Sequence, residues 1–533
     1  MFTGYIMKKL MLLILLIPSF YSISANEKIN SLVDEYYTAL SLDGEAYKSS
    51  LTYNSFSFNR WTSENTLFAW KEYLTNDRSI WGNENISLLL LDPEIFFSGS
   101  SSYARTELND GALWQGRGMN AILTTGIEFS SKYIDIIYYP EFWIAQNQFY
   151  QVVTPDPGQA NQDVGYFFNG IDYPQRMGGN ALWNYNWGQS GFHLNIWKLT
   201  LGFSHENIKS GPSIINPLLL SNNASGFWHM NFGLKNTETK IGNFEWQFFW
   251  GQLNESDFFD SNENNDNTFI SGMLFAYAPQ FIPGLTLGLN RTLASNWEDL
   301  NGDIFFKIFN PIFFNTSYGR DVVDQRASLT LEWQFPTVGF KFYGELFFED
   351  YSTNIKTFIL VPEHATAYTL GMMKSYPVRS GKLITIFEIS QLIQSRDYEV
   401  GLGTGGTYYT HHIVNHGHTN EGQILGAGIG PGSDSKTFLV DWYSNWGKIG
   451  LKLQRIGWHK DYIYRDPSDT NDPDGPDQGR LQVEMNYGIN CTWILSPLEL
   501  STELMYSTFY NRNFVEGSVN HNVYGNIKLK YRY

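Results

Sequence analysis

The chain ends on a strand whose two faces suit different solvents. Residues Val519 to Tyr533 read VNHNVYGNIKLKYRY. The odd positions hold Val519, His521, Val523, Gly525, Ile527, Leu529, Tyr531 and Tyr533. The even ones hold Asn520, Asn522, Tyr524, Asn526, Lys528, Lys530 and Arg532. Side chains alternate along a strand, so one face is largely apolar and the other wet. A soluble sandwich strand can alternate in this way, but it seldom ends a protein on Tyr-x-Tyr. Lipid on one side, water on the other and an aromatic belt at the interface fit better. An open sheet edge cannot sit in lipid, so the strand predicts a closed barrel upstream.

The bulk composition agrees. A chain of 533 residues is long for one ordinary core unless it is a large barrel or several domains. Aromatic and charged residues each make up 17%, the latter below the usual quarter. Mean hydropathy is slightly negative, as expected where every strand is half polar. A net charge of −17 disfavours nucleic acid, which needs a basic face. Cys491 is the single cysteine, which excludes an internal disulfide and a Cys-based metal site. It lies in phase with Tyr487, Ile489 and Trp493, as an inert member of the apolar face.

Met7 to Ala25 has a basic start at Lys8 and Lys9, an apolar run from Leu10 to Ile17, and small residues before a cut. We read residues 1–25 as a secretory signal peptide, too short to span. An exported chain without an inner-membrane span is periplasmic, outer-membrane or released, and the barrel reading selects the outer membrane of a diderm bacterium. Ile29, Leu32, Val33, Tyr36, Tyr37 and Leu40 recur at helical spacing up to a stop at Asp43-Gly44. A second helical pattern starts at Ser63, with Leu67, Phe68, Trp70 and Leu74 on one side. Residues 26–86 are therefore expected to form a periplasmic helical hairpin.

From about Leu88 the period becomes two, as in Phe244-Trp246-Phe248-Trp250, Leu285-Leu287-Leu289 and Leu329-Leu331-Trp333. Polar residues such as Glu245, Gln247 and Glu332 stand between. Residues 87–533 read as one antiparallel all-β transmembrane barrel of roughly 16 to 18 strands, even parity preferred. Long inserts without alternation mark outer loops: Ala145–Asn180, His205–Gly226, Asn254–Asn267, Tyr408–Ser435 and Asp466–Gly479. Leu218 to Leu220, an apolar triplet, is expected to fold in and plug the barrel.

Two stretches are too particular for generic loop: Asn109–Asn120 (NDGALWQGRGMN) and Gly211–Gly226 (GPSIINPLLLSNNASG), the latter followed by Phe227-Trp228-His229. With Gly430-Pro431-Gly432-Ser433-Asp434 and the terminal YRY, they resemble the Wzi family of capsule-assembly proteins over nearly the whole mature chain. The resemblance implies an outer-membrane barrel of eighteen strands with a small periplasmic helical bundle. It also implies a lectin that holds capsular polysaccharide at the cell surface.

Sugar recognition uses flat aromatic faces against C–H patches, with planar polar groups bonding the hydroxyls. The first motif offers Asn109, Asp110, Trp114, Gln115 and Arg117, and the second offers Asn222 and Asn223. Filling of the lumen is the competing role for both sets. The partners expected are surface or capsular polysaccharide, outer-membrane lipid, and barrel-assembly machinery during biogenesis. No cofactor is expected. His412 and His416 are four apart, but no Glu completes a metal motif, so the His-rich loop reads as solvated. Asp469–Asp477 has calcium-loop composition without the phasing, since Pro473 falls at the fifth position. Catalysis is not expected. There is no GxSxG, and Glu332, Glu345 and Glu484 read as wet-face filler rather than an acid pair. The alternative function is an outer-membrane diffusion or uptake channel for oligosaccharides or other small solutes.

Overall fold

The computed structural model describes residues 25–63, 68–74, 79–83, 86–153, 164–260, 262, 265–300, 323–349, 359–360, 362–379, 381–394, 407–463 and 478–532. The signal-peptide reading over residues 1–24 and the calcium-like stretch Asp469–Asp477 lie outside them.

An antiparallel barrel of eighteen strands closes on itself. The strands are β1 (Ile86–Ser100), β2 (Gly118–Ser131), β3 (Ile134–Tyr138 with Glu141–Ala145), β4 (Leu182–Asn186 with Gly191–Ile196), β5 (Leu199–Ser204) and β6 (His229–Thr239). Next come β7 (Gly242–Asn254), β8 (Asn267–Pro279), β9 (Leu285–Asn296), β10 (Asp324–Phe335), β11 (Phe340–Glu349) and β12 (Thr366–Val378). The last are β13 (Gly381–Gln391), β14 (Asp434–Ser444), β15 (Gly447–Gly457), β16 (Val483–Leu495), β17 (Leu498–Tyr510) and β18 (Val519–Tyr531). β18 closes onto β1 in register from Tyr524↔Ser100 to Lys530↔Glu94. The break in β3 falls at Pro140, which has no N–H to give a ladder.

The barrel is inside out relative to a soluble domain. Val523, Ile527 and Leu529 of β18 are exposed, while Asn522, Tyr524 and Lys530 between them are buried. The parity read from the sequence is thus the observed one. Leu451, Ile489 and Leu504 continue the exposed apolar surface, and Cys491 shares the outward register of Ile489 and Trp493. At one end the turns are short, as at Thr239–Gly242, Ser444–Gly447 and Leu495–Leu498. Long loops leave the other end.

The lumen is filled from both ends. At the short-turn end, helix α1 (Leu32–Ser41) starts where Ser31 Oγ accepts the N–H of Asp34 at 3.2 Å. The second helix, α2, is described over Phe68–Leu74, and Ser63 belongs to a strand instead of starting it. A three-stranded sheet of Ala25–Asn26, Ala46–Lys48 and Arg60–Ser63 stands where a plain hairpin was expected. These strands are too short to show a period in sequence. Tyr36 stacks on Trp70 at 4.0 Å, and the Trp70 indole donates to Ser444 O at 2.8 Å. Lys382 holds Asp43 at 2.6 Å, and Arg532 holds Glu27 at 2.8 Å, so wall and last strand clasp the segment.

From the long-loop end, residues 205–228 turn inward and bury Leu218, Leu219 and Leu220 almost completely, as expected of the apolar triplet. Their backbone is fixed by wall carboxylates. Glu388 on β13 accepts N–H groups of Ile214, Ile215 and Asn216 at 2.8 to 3.1 Å. Glu345 on β11 accepts those of Leu218 and Leu219, and Glu245 on β7 those of Leu51, Thr52 and Tyr53. A buried amide without a partner is costly, and a carboxylate is a strong acceptor. The inward acids are therefore anchors rather than filler.

Residues 407–433 pack on top. Tyr409 OH donates to Leu218 O at 2.6 Å, and Ser221 N to Leu425 O at 2.7 Å. Gly426 permits the contact, since a Cβ there would meet Leu218 O at 2.2 Å. In the His-rich stretch His411, His416 and His418 are buried rather than solvated, while His412 stays exposed. His416 bonds Thr268 Oγ1 at 3.0 Å and His418 bonds Leu219 O at 2.6 Å. Burial lowers His416 to about 4, which keeps its ring neutral.

Candidate functional site

The two sequence motifs dock on each other inside the lumen. Asn222 Nδ2 donates to Asn109 O at 2.9 Å, Gly111 N to Asn222 O at 2.8 Å, and Asn109 Nδ2 to Ile215 O at 2.9 Å. Asn109 sits at φ 59°, a conformation Asn tolerates. Gln115 is buried and donates to Asp110 at 2.5 Å. Burial pushes the Asp110 carboxyl up to about 7. Asn223 is buried against Ile424 O.

Trp114 packs with Leu113, Trp143 and Met177, and its indole donates to Asn147 Oδ1 at 3.2 Å. It is buried and presents no open face. Arg117 alone of the seven reaches the rim, where it donates to Ser101 O and Phe149 O. Asp110 and Asn222 share an inner chamber with Lys28, Glu94, Glu141 and Lys528, on the β1 side of the lumen. Its charges are of both signs, and its walls belong to the segments that fill the barrel.

A second cavity opens among the long loops. Its walls are aromatic: Tyr150, Phe167, Tyr173, Trp458 and Phe509. Planar polar groups stand between them: Arg105, Gln175, Gln482, Arg512 and Asn513. This is the residue chemistry that sugar recognition needs, placed where a polymer could enter. None of the seven motif residues lines it.

The pocket is firmly built. Arg105 pairs with both Glu107 and Glu484, and the second oxygen of Glu484 takes the Trp458 indole N–H at 2.8 Å. Burial works against the Arg105 charge, but Glu107 and Glu484 hold its guanidinium above the ordinary range. Tyr150 OH donates to Gln175 O, and its ring meets Tyr103 edge-on at 6.0 Å. Burial pushes the Tyr150 hydroxyl up to about 12. His459 stacks on Phe167 at 4.1 Å, and burial lowers it to about 4.

The third motif supports this wall. Ser433 Oγ accepts His459 N at 3.1 Å, and Gly432 O accepts Lys460 N at 2.6 Å, where the short helix α3 (Lys460–Ile463) starts. The pocket residues themselves escaped the sequence reading. Tyr150, Tyr173 and Trp458 sit singly in unpatterned loops, and only folding gathers them. Among the described residues no three His, Cys, Asp or Glu side chains converge as a metal site.

Fold and pocket together define a plugged β-barrel of outer-membrane type with a polar-aromatic pocket at its long-loop end. The family model of the capsule assembly protein Wzi matches residues 181–493, and the chain belongs to that family. Wzi of Escherichia coli, an outer-membrane protein involved in group 1 capsule assembly and described as a carbohydrate-binding β-barrel, has a similar structure. The TM-score is 0.62 at 14% identity, covering 96% of this chain and 100% of that one. OprD of Pseudomonas aeruginosa (TM-score 0.37, 9% identity, 83% and 92% covered) and OccAB4 of Acinetobacter baumannii (0.36, 11%, 83% and 98%) are more distant barrels that support no functional argument. No match was found among the curated proteins.

Proposed function

We propose that this chain holds a surface or capsular polysaccharide at the outer face of the outer membrane, with the glycan seated in the long-loop pocket. The observation that supports this most is the pocket lining. Tyr150, Tyr173 and Trp458 stand beside Arg105, Gln482 and Asn513 at the end that barrels of this kind turn outward. The mechanism is retention without bond cleavage. One seat binds a repeat weakly, and many barrels along one polymer bind it tightly.

The wall carboxylates do not offer a hydrolytic pair in this reading, since Glu245, Glu345, Glu388 and Glu484 are engaged with amides, Arg105 and Trp458. Asn109, Asp110 and Asn222 keep the inner loops in place, and residues 26–86 cap the periplasmic end. The exposed apolar belt meets lipid. Assembly machinery and an N-terminal signal sequence complete the route to the membrane. The channel alternative meets a lumen in which Leu218 to Leu220 are packed and fully buried.

The test is retention of the host cell's own surface polysaccharide by purified, detergent-folded protein, with planar-bilayer conductance measured alongside. Binding with a silent bilayer is the expected result. Conductance without binding would replace this reading with the channel.

A further inference from the structure

The mouth of the pocket is basic on a chain that is acidic overall. Arg117, Arg176 and Arg512 gather around Tyr103, Phe149 and Tyr150, although the net charge is −17. The Arg512 guanidinium lies 3.5 Å over the Tyr103 ring and 5.0 Å from that of Phe509. Arg176 lies 4.3 Å over Phe149.

Arg512, a half-buried side chain, differs from the buried Arg326, Arg532 and Arg105. Arg326 has Asp324 and Glu349 at 2.7 and 2.8 Å, and Arg532 has Glu27 at 2.8 Å. Arg105, in the same pocket, has Glu107 and Glu484. Those two carboxylates are spent on Arg105, and Glu484 also on Trp458. Arg512 has no carboxylate partner among the described residues, and its Nε is buried without an acceptor. Burial pushes its guanidinium below the ordinary range. A desolvated cation without a counter-charge is costly, and stacking on tyrosine offsets only part of that cost. A flat guanidinium held on an aromatic ring is also arranged in advance for a two-pronged bond to a carboxylate or phosphate.

We propose that Arg512 is the specificity-determining residue of the mouth pocket and reads an anionic group, a sugar carboxylate or a phosphate, on the bound glycan. The inference rests on the pocket being the glycan seat. Arg117 and Arg176 raise the local potential and steer the anion inward. The shared chemistry has two sources, an acidic sugar of the polysaccharide or a phosphate of lipopolysaccharide, and two experimental arms separate them.

The first arm compares oligogalacturonate with its carboxyl-reduced, neutral counterpart on the folded full chain. The second compares lipopolysaccharide with its phosphatase-treated form. The host polysaccharide is bound in parallel, and folding is checked by heat-modifiable gel mobility. At low salt the wild type is expected to prefer one anionic probe over its neutral form by about tenfold or more. Arg512→Gln should bring the two forms within about twofold of each other. Arg512→Lys should keep an intermediate preference, having charge but no fork. Preference in the first arm assigns the anion to a uronate-type sugar, and preference in the second assigns it to phosphate. Equal binding of anionic and neutral probes in both arms, with the host polysaccharide still bound, would overturn the inference and leave the glycan reading standing. So would a preference that survives in folded Arg512→Gln. Failure to bind any glycan would overturn both.

Discussion

The middle of the lumen and its mouth are built from the same residue types to opposite ends. In the middle, Glu388, Glu345 and Glu245 each close on backbone amides, and Asn222 and Asn109 close on each other. Tyr409 and His418 bond the carbonyls of Leu218 and Leu219. At the mouth, Tyr150, Tyr173 and Trp458 leave an open cavity, and Arg512 has no carboxylate partner among the described residues. Polar residues in the lumen are therefore poor markers of function. What separates the regions is whether the polar groups find partners inside the chain.

The largest effect that should separate the regions comes from Glu388→Ala. It leaves three amides and the Tyr343 hydroxyl unpaired, at about 1–3 kcal/mol for each group left unsatisfied. The barrel should persist, while loop 205–228 becomes open to protease and bilayer conductance appears. A protease-resistant, silent variant would deny the loop its role as a plug.

Tyr150→Ala should act oppositely. The barrel wall should stay folded although the loop around Gln175 loosens, while affinity for the surface polysaccharide falls by about 2 kcal/mol, as for an anchoring aromatic. Isothermal calorimetry on detergent-folded protein reads this directly.

A third effect is pH-dependent. Asp172 in the outer loops accepts Ser256 N and Oγ at 2.6 and 2.8 Å, and burial pushes its carboxyl up to about 7. A raised folded value means that this contribution is full at acid pH and is lost as pH rises through about 7. Buried His416 and His459, lowered to about 4, have the opposite sign, and their contribution is lost as pH falls from 6.5 towards 4. Loop protection against protease combines the two, and from 6.5 to about 7 only the Asp172 decline remains. Asp172→Asn should remove the decline that Asp172 contributes from about 3.8 up to about 7, and an unchanged decline between 6.5 and 7 would contradict this account.

The smallest effect belongs to Asn222→Ala. It removes one bond to Asn109 O from a half-buried side chain, so stability should fall by about 1 kcal/mol or less. Glycan affinity should stay within about twofold of wild type.

The sequence disclosed the barrel better than the site, for a physical reason. Alternation at β7 or β18 is a local property, and lipid outside with polar lumen inside enforces it at every second residue. The plug was legible too, because Leu218 to Leu220 cannot be left in water. The motif around Asn109 and Trp114 stood out because a loop folded into a lumen needs particular residues for packing and amide pairing. That same need competes with a ligand-contact role for these residues. Tyr150, Tyr173, Trp458 and Arg512 come from three separated loops without local pattern, and only closure of the barrel brings them together. The His-rich stretch read as solvated because its glycines and polar residues suit water, and its partners Thr268 and Leu219 are far away in sequence.

The most direct test of the glycan seat sets Tyr150→Ala against Asn222→Ala, both shown to be folded, in binding the same purified surface polysaccharide. The account predicts strong loss for the mouth variant and near-wild-type binding for the lumen variant. Loss with Asn222→Ala and retention with Tyr150→Ala would place the seat in the inner chamber and contradict it.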